Sequence, residues 1–292
     1  MSSIISATNL KSSDHDESSA LFHIAFYRFV VLPDPDAVAA QLRQLTQALL
    51  GNILVASEGI NGVLAGDALA LDQFQHALVT EPVFGGLFVG INFKRSSCRS
   101  APFQRIKVHL KSEIVALGLI ADALKNPVKN PKGGIDVSPA DWRHLIAAPD
   151  VVLIDNRNSF EYRLGRFKSA IDPQVANFRD FPAYIAAHAP IWKTEGKRVA
   201  MYCTGGIRCE KTSASLTDLG LDIYQLDGGI LNYFQSMPDA EQDWEGECFV
   251  FDNRIALNTK LEETATTAED VYRDEADGGW RLQRAKRLDA AK

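Results

Sequence analysis

The stretch that decides the fold is Tyr202-Cys203-Thr204-Gly205-Gly206-Ile207-Arg208-Cys209-Glu210-Lys211. An apolar run over residues 198–202 leads into the first cysteine, and residues 212–219, ended by a glycine, have helical character. This order predicts a short buried strand, a tight turn and a helix. A cysteine between a strand end and a helix start faces unpaired backbone N–H groups and the positive end of the helix dipole. The pattern therefore predicts an activated thiolate at Cys203.

The residues after Cys203 predict an anion-binding loop, because two glycines let the backbone curl until its amides point inward. We expect this loop to consist of Thr204, Gly205, Gly206, Ile207 and Arg208. We expect the backbone amides of Gly205, Gly206 and Ile207, together with the Arg208 guanidinium, to hold the thiolate. Arg208 either orients the loop or holds an anionic group of the substrate. For Cys203, the alternative to a reactive thiolate is an inert buried thiol.

Two further segments make the C-terminal part of the chain resemble a rhodanese domain. Leu153-Ile154-Asp155-Asn156-Arg157, followed by Glu161 and Gly165, is similar to the strand-and-turn signature of that family, and Leu226-Asp227-Gly228-Gly229-Ile230 is similar to its late glycine motif. The resemblance implies that Asp155, Arg157 and Glu161 support the active loop, with the arginine and glutamate forming an ion pair.

The loop length bears on the chemistry. Phosphatases of this fold have five residues between cysteine and arginine, often with histidine before the cysteine. Here four residues separate Cys203 from Arg208, and Tyr202 precedes the cysteine. The smaller ring favours a single sulfur or a compact reactive group on Cys203 over a phosphate ester.

A longer resemblance links the chain to the bacterial tRNA uridine(34) hydroxylase family. It rests on the run from Cys203 to Lys211 and on three further segments, Ser57-Glu58-Gly59-Ile60-Asn61-Gly62, Phe178-Arg179-Asp180-Phe181-Pro182 and Gly246-Glu247-Cys248-Phe249-Val250-Phe251-Asp252. It implies a tRNA-modifying oxidoreductase that converts the wobble uridine, position 34, to 5-hydroxyuridine, with molecular oxygen as co-substrate and the tRNA anticodon arm as partner. Many relatives continue into a Cys-rich tail, whereas this chain has no cysteine after Cys248.

The residues leave the role of each cysteine open. The Cys203 thiolate could add to C6 of the uracil ring or carry an oxidised sulfur. Cys209 could resolve an oxidised Cys203, although a small buried helix residue is the simpler interpretation. A sulfurtransferase with a persulfide on Cys203 is the alternative function. A tRNA-binding protein without catalysis is disfavoured, since degenerate rhodanese domains commonly lose the cysteine.

The order of predicted elements gives an α/β fold in two domains. Residues 21–112 follow the β-α-β-β-α-β order of a ferredoxin-like (acylphosphatase-like) α+β domain, with Asn61-Gly62 as a hairpin turn. Residues 113–135 predict a linker rich in Pro, Gly and Lys, and residues 136–256 predict the larger, rhodanese-like domain with a parallel sheet. Residues 1–20 form a disordered tail, and residues 257–292 form a charged tail that is helical or disordered.

Charge is distributed unevenly along a chain of 292 residues with a net charge of −6. Nine Lys or Arg residues but two acids lie between residues 94 and 135. This basic stripe is either a phosphate-backbone contact or a solvated surface. The predicted tRNA contacts are Lys94, Arg95, Arg99, Arg105 and Lys107.

The remaining features exclude other classes of protein. The chain has no apolar run near the ~20 residues of a membrane span and no secretory signal, which predicts a cytoplasmic protein. Four cysteines without a Cys-x-x-Cys pair, and histidines without ligand spacing, indicate no metal site. No fingerprint for a flavin, a nicotinamide or a nucleotide phosphate is present, so an organic cofactor is not expected.

Overall fold

The computed structural model describes residues 20–118, 133–216, 219–273 and 278–289. The N-terminal part contains β1 (Leu21–Phe29), α1 (Pro35–Leu45), β2 (Leu50–Ala56), β3 (Gly59–Gly66), α2 (Ala68–Thr80), β4 (Phe93–Cys98) and β5 (Ile106–Leu110). The C-terminal part contains β6 (Ile135–Val137), α3 (Pro139–Ile146), β7 (Val151–Asp155), α4 (Ser159–Leu164), β8 (Gly165–Phe167), α5 (Phe181–Thr194), β9 (Arg198–Tyr202), α6 (Ile207–Ser215), β10 (Ile223–Leu226), α7 (Gly229–Ser236), β11 (Trp244–Gly246), β12 (Cys248–Phe249), β13 (Ala256–Leu257), α8 (Ala268–Tyr272) and α9 (Gly278–Asp289).

The first sheet has the strand order β4-β1-β3-β2-β5. Its first four strands pair antiparallel in the order expected of a ferredoxin-like domain, and β5 joins the edge parallel to β2. The sequence predicts a helix over residues 34–50, with Asp34 as its cap and Pro35 in its first turn. Helix α1 begins there, because the Asp34 carboxylate accepts a hydrogen bond from the Ala37 amide at 2.9 Å. Apolar side chains of both helices pack on one face of this sheet and form its core.

Three local predictions in this domain are wrong. The hairpin turn between β2 and β3 is Ser57-Glu58 and not Asn61-Gly62, since Ala56 pairs with Gly59 across it. Gly62 lies inside β3, where a Cβ would come within 2.3 Å of the Phe26 ring, so its glycine serves packing rather than a turn. The sequence predicts that the first helix runs to Leu50 and is ended by Gly51, but α1 ends at Leu45. It also predicts the fourth strand over residues 89–94, but β4 begins at Phe93.

The second sheet is parallel, with the strand order β6-β10-β9-β7. Strand β9 is interior to this sheet, and its residues from Val199 to Tyr202 are buried, which explains its continuous apolar sequence. An apolar cluster lies on each face of the sheet. One cluster contains side chains from α5, and the other contains side chains from α7. The predicted fold class, a ferredoxin-like domain followed by a rhodanese-like domain, is confirmed.

Helix α6 begins at Ile207, five residues earlier than the sequence predicts. Gly206 precedes it with φ of 99°, a conformation that favours glycine and turns the chain directly from the loop into the helix. The amides of the first turn therefore belong to the Cys203 loop, and this shift brings them to the site.

The chain after the second sheet is partly helical. Strands β12 and β13 form a small hairpin, and Phe249 packs with Phe160 and Tyr272 in a separate apolar cluster. Helices α8 and α9 lie in the segment predicted to be helical or disordered. Residues 1–19 of the predicted N-terminal tail and residues 119–132 of the predicted linker lie outside the described residues. Within the described ranges, no helix combines the length and the apolar character needed to cross a membrane.

Candidate active site

Cys203 lies at the carboxyl end of β9, between that strand and the first turn of α6. Its side chain is 1% exposed, and its Sγ accepts a hydrogen bond from the Gly206 amide at 3.1 Å. The amides of Arg208 and Cys209 also donate to this sulfur, as does the Cys209 thiol. Of the amide cradle predicted from Gly205, Gly206 and Ile207, the Gly206 amide donates to the sulfur, and the amides of Arg208 and Cys209 also stabilise its negative charge.

These donors decide the protonation state of the site. Burial by itself raises the pKa of Cys203, because it disfavours the charged form. The hydrogen bond from Cys209, the positive charge of Arg208 and the two backbone amides outweigh that effect. The pKa of Cys203 is therefore well below its ordinary value, which favours the thiolate.

Cys209 has the opposite character, one turn into α6. Burial, together with the hydrogen bond to Cys203 and its negative charge, raises the pKa of Cys209 well above the ordinary value. Asn156 fixes its neighbourhood, since the side-chain amide lies 3.8 Å from the Cys209 sulfur and donates to Thr212 at 3.0 Å. Cys209 is thus a neutral thiol that donates to the Cys203 thiolate.

Arg208 is held by Glu161 at the base of the loop. Its guanidinium donates to both carboxylate oxygens of Glu161, at 2.7 and 2.8 Å, and to the Thr204 hydroxyl at 3.3 Å. Glu161 is fully buried, and Arg208 is 7% exposed. Burial opposes ionisation of the carboxylate, but the charge of Arg208 and its hydrogen bonds bring the pKa of Glu161 below its usual value. Of the two roles open to Arg208, the contacts favour orientation of the loop.

The predicted Arg157–Glu161 ion pair is wrong. Arg157 instead binds Asp155, with Nε–Oδ1 and Nη2–Oδ2 distances of 2.8 and 2.6 Å. Asp155 also accepts a hydrogen bond from the Tyr202 hydroxyl at 2.8 Å, and all three side chains are buried. Two ion pairs therefore support the site, because the capping of α4 turns Glu161 toward α6 while Arg157 folds back on its own strand.

The late glycine motif forms the opposite wall of the loop. The Ile230 amide donates to the Cys203 carbonyl at 3.0 Å, and the Leu231 amide donates to the Thr204 carbonyl at 3.2 Å. A Cβ at Gly229 would lie 2.4 Å from the Cys203 carbonyl oxygen, and Gly229 has φ of 69°. A glycine is required here because the two turns touch through their backbones.

The N-terminal domain covers the remaining side. Three of its residues reach across: Lys94 donates to the Gly205 and Gly228 carbonyls, Tyr27 donates to Glu210 at 2.9 Å, and Glu58 accepts from Lys211 at 2.8 Å. Lys211 also donates to Glu113, which follows the sheet, at 2.8 Å. The end of the quoted loop motif is therefore where the two domains meet.

Comparison with known proteins shows the same two domains. Residues 22–114 match the model of the UPF0176 acylphosphatase like domain, and residues 138–236 match that of the rhodanese-like domain. A tRNA uridine(34) hydroxylase of Nitrobacter winogradskyi is 46% identical over 82% of this chain and 92% of its own length. The protein of that name from Bradyrhizobium diazoefficiens is 43% identical, over 85% of this chain and 96% of its own. Its counterpart in Synechococcus elongatus is 46% identical, over 83% of this chain and 87% of its own length.

The chain belongs to the tRNA uridine(34) hydroxylase family. The family membership predicted from the sequence motifs is thereby confirmed. In the described part of this family member, no group of three or more His, Cys, Asp or Glu side chains is arranged to hold a metal ion.

The basic residues predicted to contact tRNA are divided between the two edges of the first sheet in this hydroxylase-family chain. Lys94, Arg95 and Arg99 belong to the β4 edge, and Arg105 and Lys107 to the β5 edge. Arg95 pairs with Asp72 at 2.7 Å, and the exposed Arg99 contacts Glu262 at 3.4 Å. These five residues thus do not share one edge of the sheet, and their contact with tRNA stays a prediction.

One exposed side chain beside the loop was given no role in the sequence analysis. Phe251 is 64% exposed, although its neighbour Phe249 is buried and meets it edge-on at 4.9 Å between ring centroids. The Phe251 ring lies 5.9 Å from the guanidinium carbon of Arg208. The turn that carries it contains a bidentate ion pair between Arg254 and Asp252. The family motif around Cys248 was the available signal.

Proposed function

We propose that this chain hydroxylates C5 of uridine 34 in tRNA, in the cytoplasm, with the Cys203 thiolate as the reactive group. Membership of the hydroxylase family supports an enzyme that modifies tRNA uridine. The observation that carries the role of Cys203 is its sulfur, buried and ringed by the Gly206 amide, further amides and the Cys209 thiol. A thiolate so held is a nucleophile at neutral pH.

The proposed reaction uses the thiolate as a temporary adduct. Cys203 Sγ adds to C6 of the uracil ring, which makes C5 electron-rich and ready to take an oxygen atom. Dioxygen supplies that atom, and its second oxygen leaves as water with two electrons and two protons from an external thiol reductant. Loss of the C5 proton then expels the thiolate and leaves 5-hydroxyuridine. Cys209 serves as the neutral donor beside the thiolate, consistent with its raised pKa.

Phe251 is proposed as the platform for the base. A uracil can reach an enzyme pocket only when it is splayed out of the anticodon loop, and such bases stack on exposed aromatic rings. Stacking of this kind contributes about 1–3 kcal/mol per base. The Phe251 ring is the exposed aromatic surface that lies against Arg208, at the mouth of the loop. This position supports a substrate that is a nucleobase of the anticodon arm.

Nucleoside mass spectrometry of tRNA from a deletion strain tests the proposal. The strain carrying the wild-type gene should contain 5-hydroxyuridine, and the strain carrying Cys203→Ser should contain none. Phe251→Ala should lower the modification at least fivefold, whereas Leu69→Ala, which removes an apolar side chain that is 67% exposed on α2, should not. Full modification with Cys203→Ser would refute the role of the cysteine. Normal nucleosides in the deletion strain, with rapid thiosulfate turnover by the purified protein, would establish a sulfurtransferase instead.

A second experiment tests the adduct. An anticodon stem-loop with 5-fluorouridine at position 34 cannot lose a C5 proton, so a thiolate at C6 stays bonded. We expect a denaturation-stable complex with the wild-type protein and none with Cys203→Ser. No complex with a wild-type protein that still hydroxylates the normal stem-loop would refute addition at C6 and leave the hydroxylase assignment intact.

A further inference from the structure

Lys94 differs from Arg95, the other basic residue of its strand, in the direction of its side chain. In β4 it pairs with Ala25 of β1, on the sheet face that turns away from α1 and α2. Its neighbour Arg95 points to the helical face, where it binds Asp72 and lies over the Phe22 ring at 4.6 Å. Lys94 is therefore directed at the rhodanese-like domain.

The Lys94 ammonium joins the two glycine turns of the site. It donates to the carbonyl of Gly205, in the Cys203 loop, and to the carbonyl of Gly228, before α7, at 2.8 Å. Both acceptors are neutral carbonyls, so the cation has no carboxylate partner in these two contacts. Burial lowers the pKa of Lys94, while the negative charges of Cys203, Asp227 and Glu210 act in the opposite direction. The ammonium and the thiolate thus influence one another across the loop.

The Gly205 carbonyl belongs to the same peptide group as the Gly206 amide. That amide is the donor that lies 3.1 Å from the Cys203 sulfur. A peptide group is planar, so a cation that fixes its oxygen also fixes the direction of its N–H. The cation further polarises the group, and chained hydrogen bonds strengthen one another by about 10–30% per bond.

We propose that Lys94, a residue of the N-terminal domain, is a positioning residue that stabilises the Cys203 thiolate through the Gly205–Gly206 peptide. The inference rests on one part of the proposed function, namely that Cys203 is the reactive group. It makes the charge of that group depend on docking of the N-terminal domain. It also gives that domain a task in catalysis besides any contact with tRNA.

A simpler role for Lys94 would be to fasten the two domains together. The same interface offers a matched control, because the Tyr27 hydroxyl also crosses it and donates to Glu210 at 2.9 Å without contacting the Gly205 carbonyl. Tyr27→Phe removes one interdomain hydrogen bond and keeps both contacts of the Lys94 ammonium with the Gly205 and Gly228 carbonyls. Lys107→Met, at the opposite edge of the sheet, controls for the loss of a positive charge.

The experiment measures the titration of Cys203 in the full-length protein, without tRNA. Trypsin cuts after Arg198 and Arg208, so the peptide of residues 199–208 contains Cys203 and no other cysteine. Its iodoacetamide alkylation rate, followed by mass spectrometry at a series of pH values, gives the midpoint for the thiolate. The thiolate absorbance near 240 nm, compared with that of Cys203→Ser, gives the same midpoint without need for reagent access.

We expect Lys94→Met to raise the midpoint by about one pH unit, a tenfold loss of thiolate below it, which is the order of one charge-assisted hydrogen bond. Lys94→Arg, which keeps the charge, should restore most of the shift, and Tyr27→Phe and Lys107→Met should leave the midpoint unchanged. Hydroxylation by Lys94→Met should recover as pH rises. Thermal unfolding of each variant verifies that it is folded. If Lys94→Met does not fold, Lys94→Gln, whose side chain is a neutral hydrogen-bond donor, replaces it.

Two results would overturn the inference. An unchanged midpoint in the folded Lys94 variants, with weaker tRNA binding, would make Lys94 a substrate contact. An equal shift in Tyr27→Phe would reduce Lys94 to a fastener between domains. Because the titration is read without tRNA, either result is distinct from a failure of the proposed hydroxylation.

Discussion

The buried pair of Glu161 and Arg208 makes the most exacting prediction. Glu161→Gln keeps the size of the side chain but removes the negative charge that faces a guanidinium only 7% exposed. The variant also sets an amide N–H against one of the two arginine donors, which now bind the carboxylate at 2.7 and 2.8 Å. Leaving one partner of a buried pair uncompensated costs about 3–5 kcal/mol of unfolding free energy. At roughly 3 °C per kcal/mol, Tm should fall by roughly 10–15 °C.

Tryptophan fluorescence is the assay, because no tryptophan lies in the N-terminal domain. Trp142, Trp192 and Trp244 lie in the rhodanese-like domain and are buried, and Trp280 lies after it and is exposed. The double variant Glu161→Met with Arg208→Met removes both charges, and it should melt well above Glu161→Gln. A Tm within 2 °C of the wild type for Glu161→Gln, or a double variant no more stable than it, would refute the reasoning.

Three further predictions concern the loop and the domain core. Gly229→Ala should cost about 1–3 kcal/mol of unfolding free energy, because Gly229 has a φ of 69°, and it should displace the Cys203 carbonyl. Gly205→Ala should change the unfolding free energy by less than about 1 kcal/mol, because no atom lies within 4 Å of the added Cβ. Urea unfolding compares the two variants. Cys209→Ala should raise the titration midpoint of Cys203 and Cys209→Ser should largely preserve it, since serine keeps a donor; an equal shift in both would argue against that hydrogen bond. Burial and, after it, the charge of Arg254 lower the pKa of His23 to about 4, against the opposing charge of Asp252. The unfolded chain therefore binds more protons below pH 6.5, and about 3 kcal/mol of unfolding free energy should be lost as the pH falls from 6.5 to 4. In denaturant titrations, His23→Phe should remove this dependence of stability on pH.

The features that could be predicted from the sequence are those fixed by neighbours along the chain. The apolar run before Cys203 and the glycines after it set the strand and the turn that follows it. Asp34 with Pro35 marks the start of α1 in the same way, through a local hydrogen bond. Such signals survive folding because no distant part of the chain is needed to satisfy them.

The misjudged features depend on distant partners. Asn61-Gly62 has the local signature of a turn, yet the Phe26 ring occupies the place of a Cβ at Gly62, and the Asn61 side chain donates to the Ile114 carbonyl at 3.0 Å. Lys94 looked like one member of a basic stripe. Its contact with Gly205, 111 positions away, exists only because two domains pack together. Strand periodicity shows that Lys94 and Arg95 lie on opposite faces, but it does not show what covers each face.

The buried position of Cys203 has a consequence for access. A base cannot reach a sulfur that is 1% exposed unless one wall of the site moves. The wall formed by Gly229 and Ile230 is held by backbone hydrogen bonds between two tight turns. Movement of this wall would break those hydrogen bonds and disrupt the Cys203 loop. The N-terminal wall is held by Lys94, Tyr27 and the Lys211–Glu58 pair, whose polar groups water can satisfy when the domains part.

Opening at the domain interface is therefore the less costly route, and it would withdraw Lys94 from the Gly205 carbonyl. With that cation gone, the Cys203 thiolate loses part of its stabilisation. Thiolates of higher pKa are the stronger nucleophiles, with a Brønsted slope of about 0.4–0.5. Opening would therefore lower the fraction of Cys203 that is thiolate and raise the nucleophilicity of the thiolate that remains, so the two effects oppose one another.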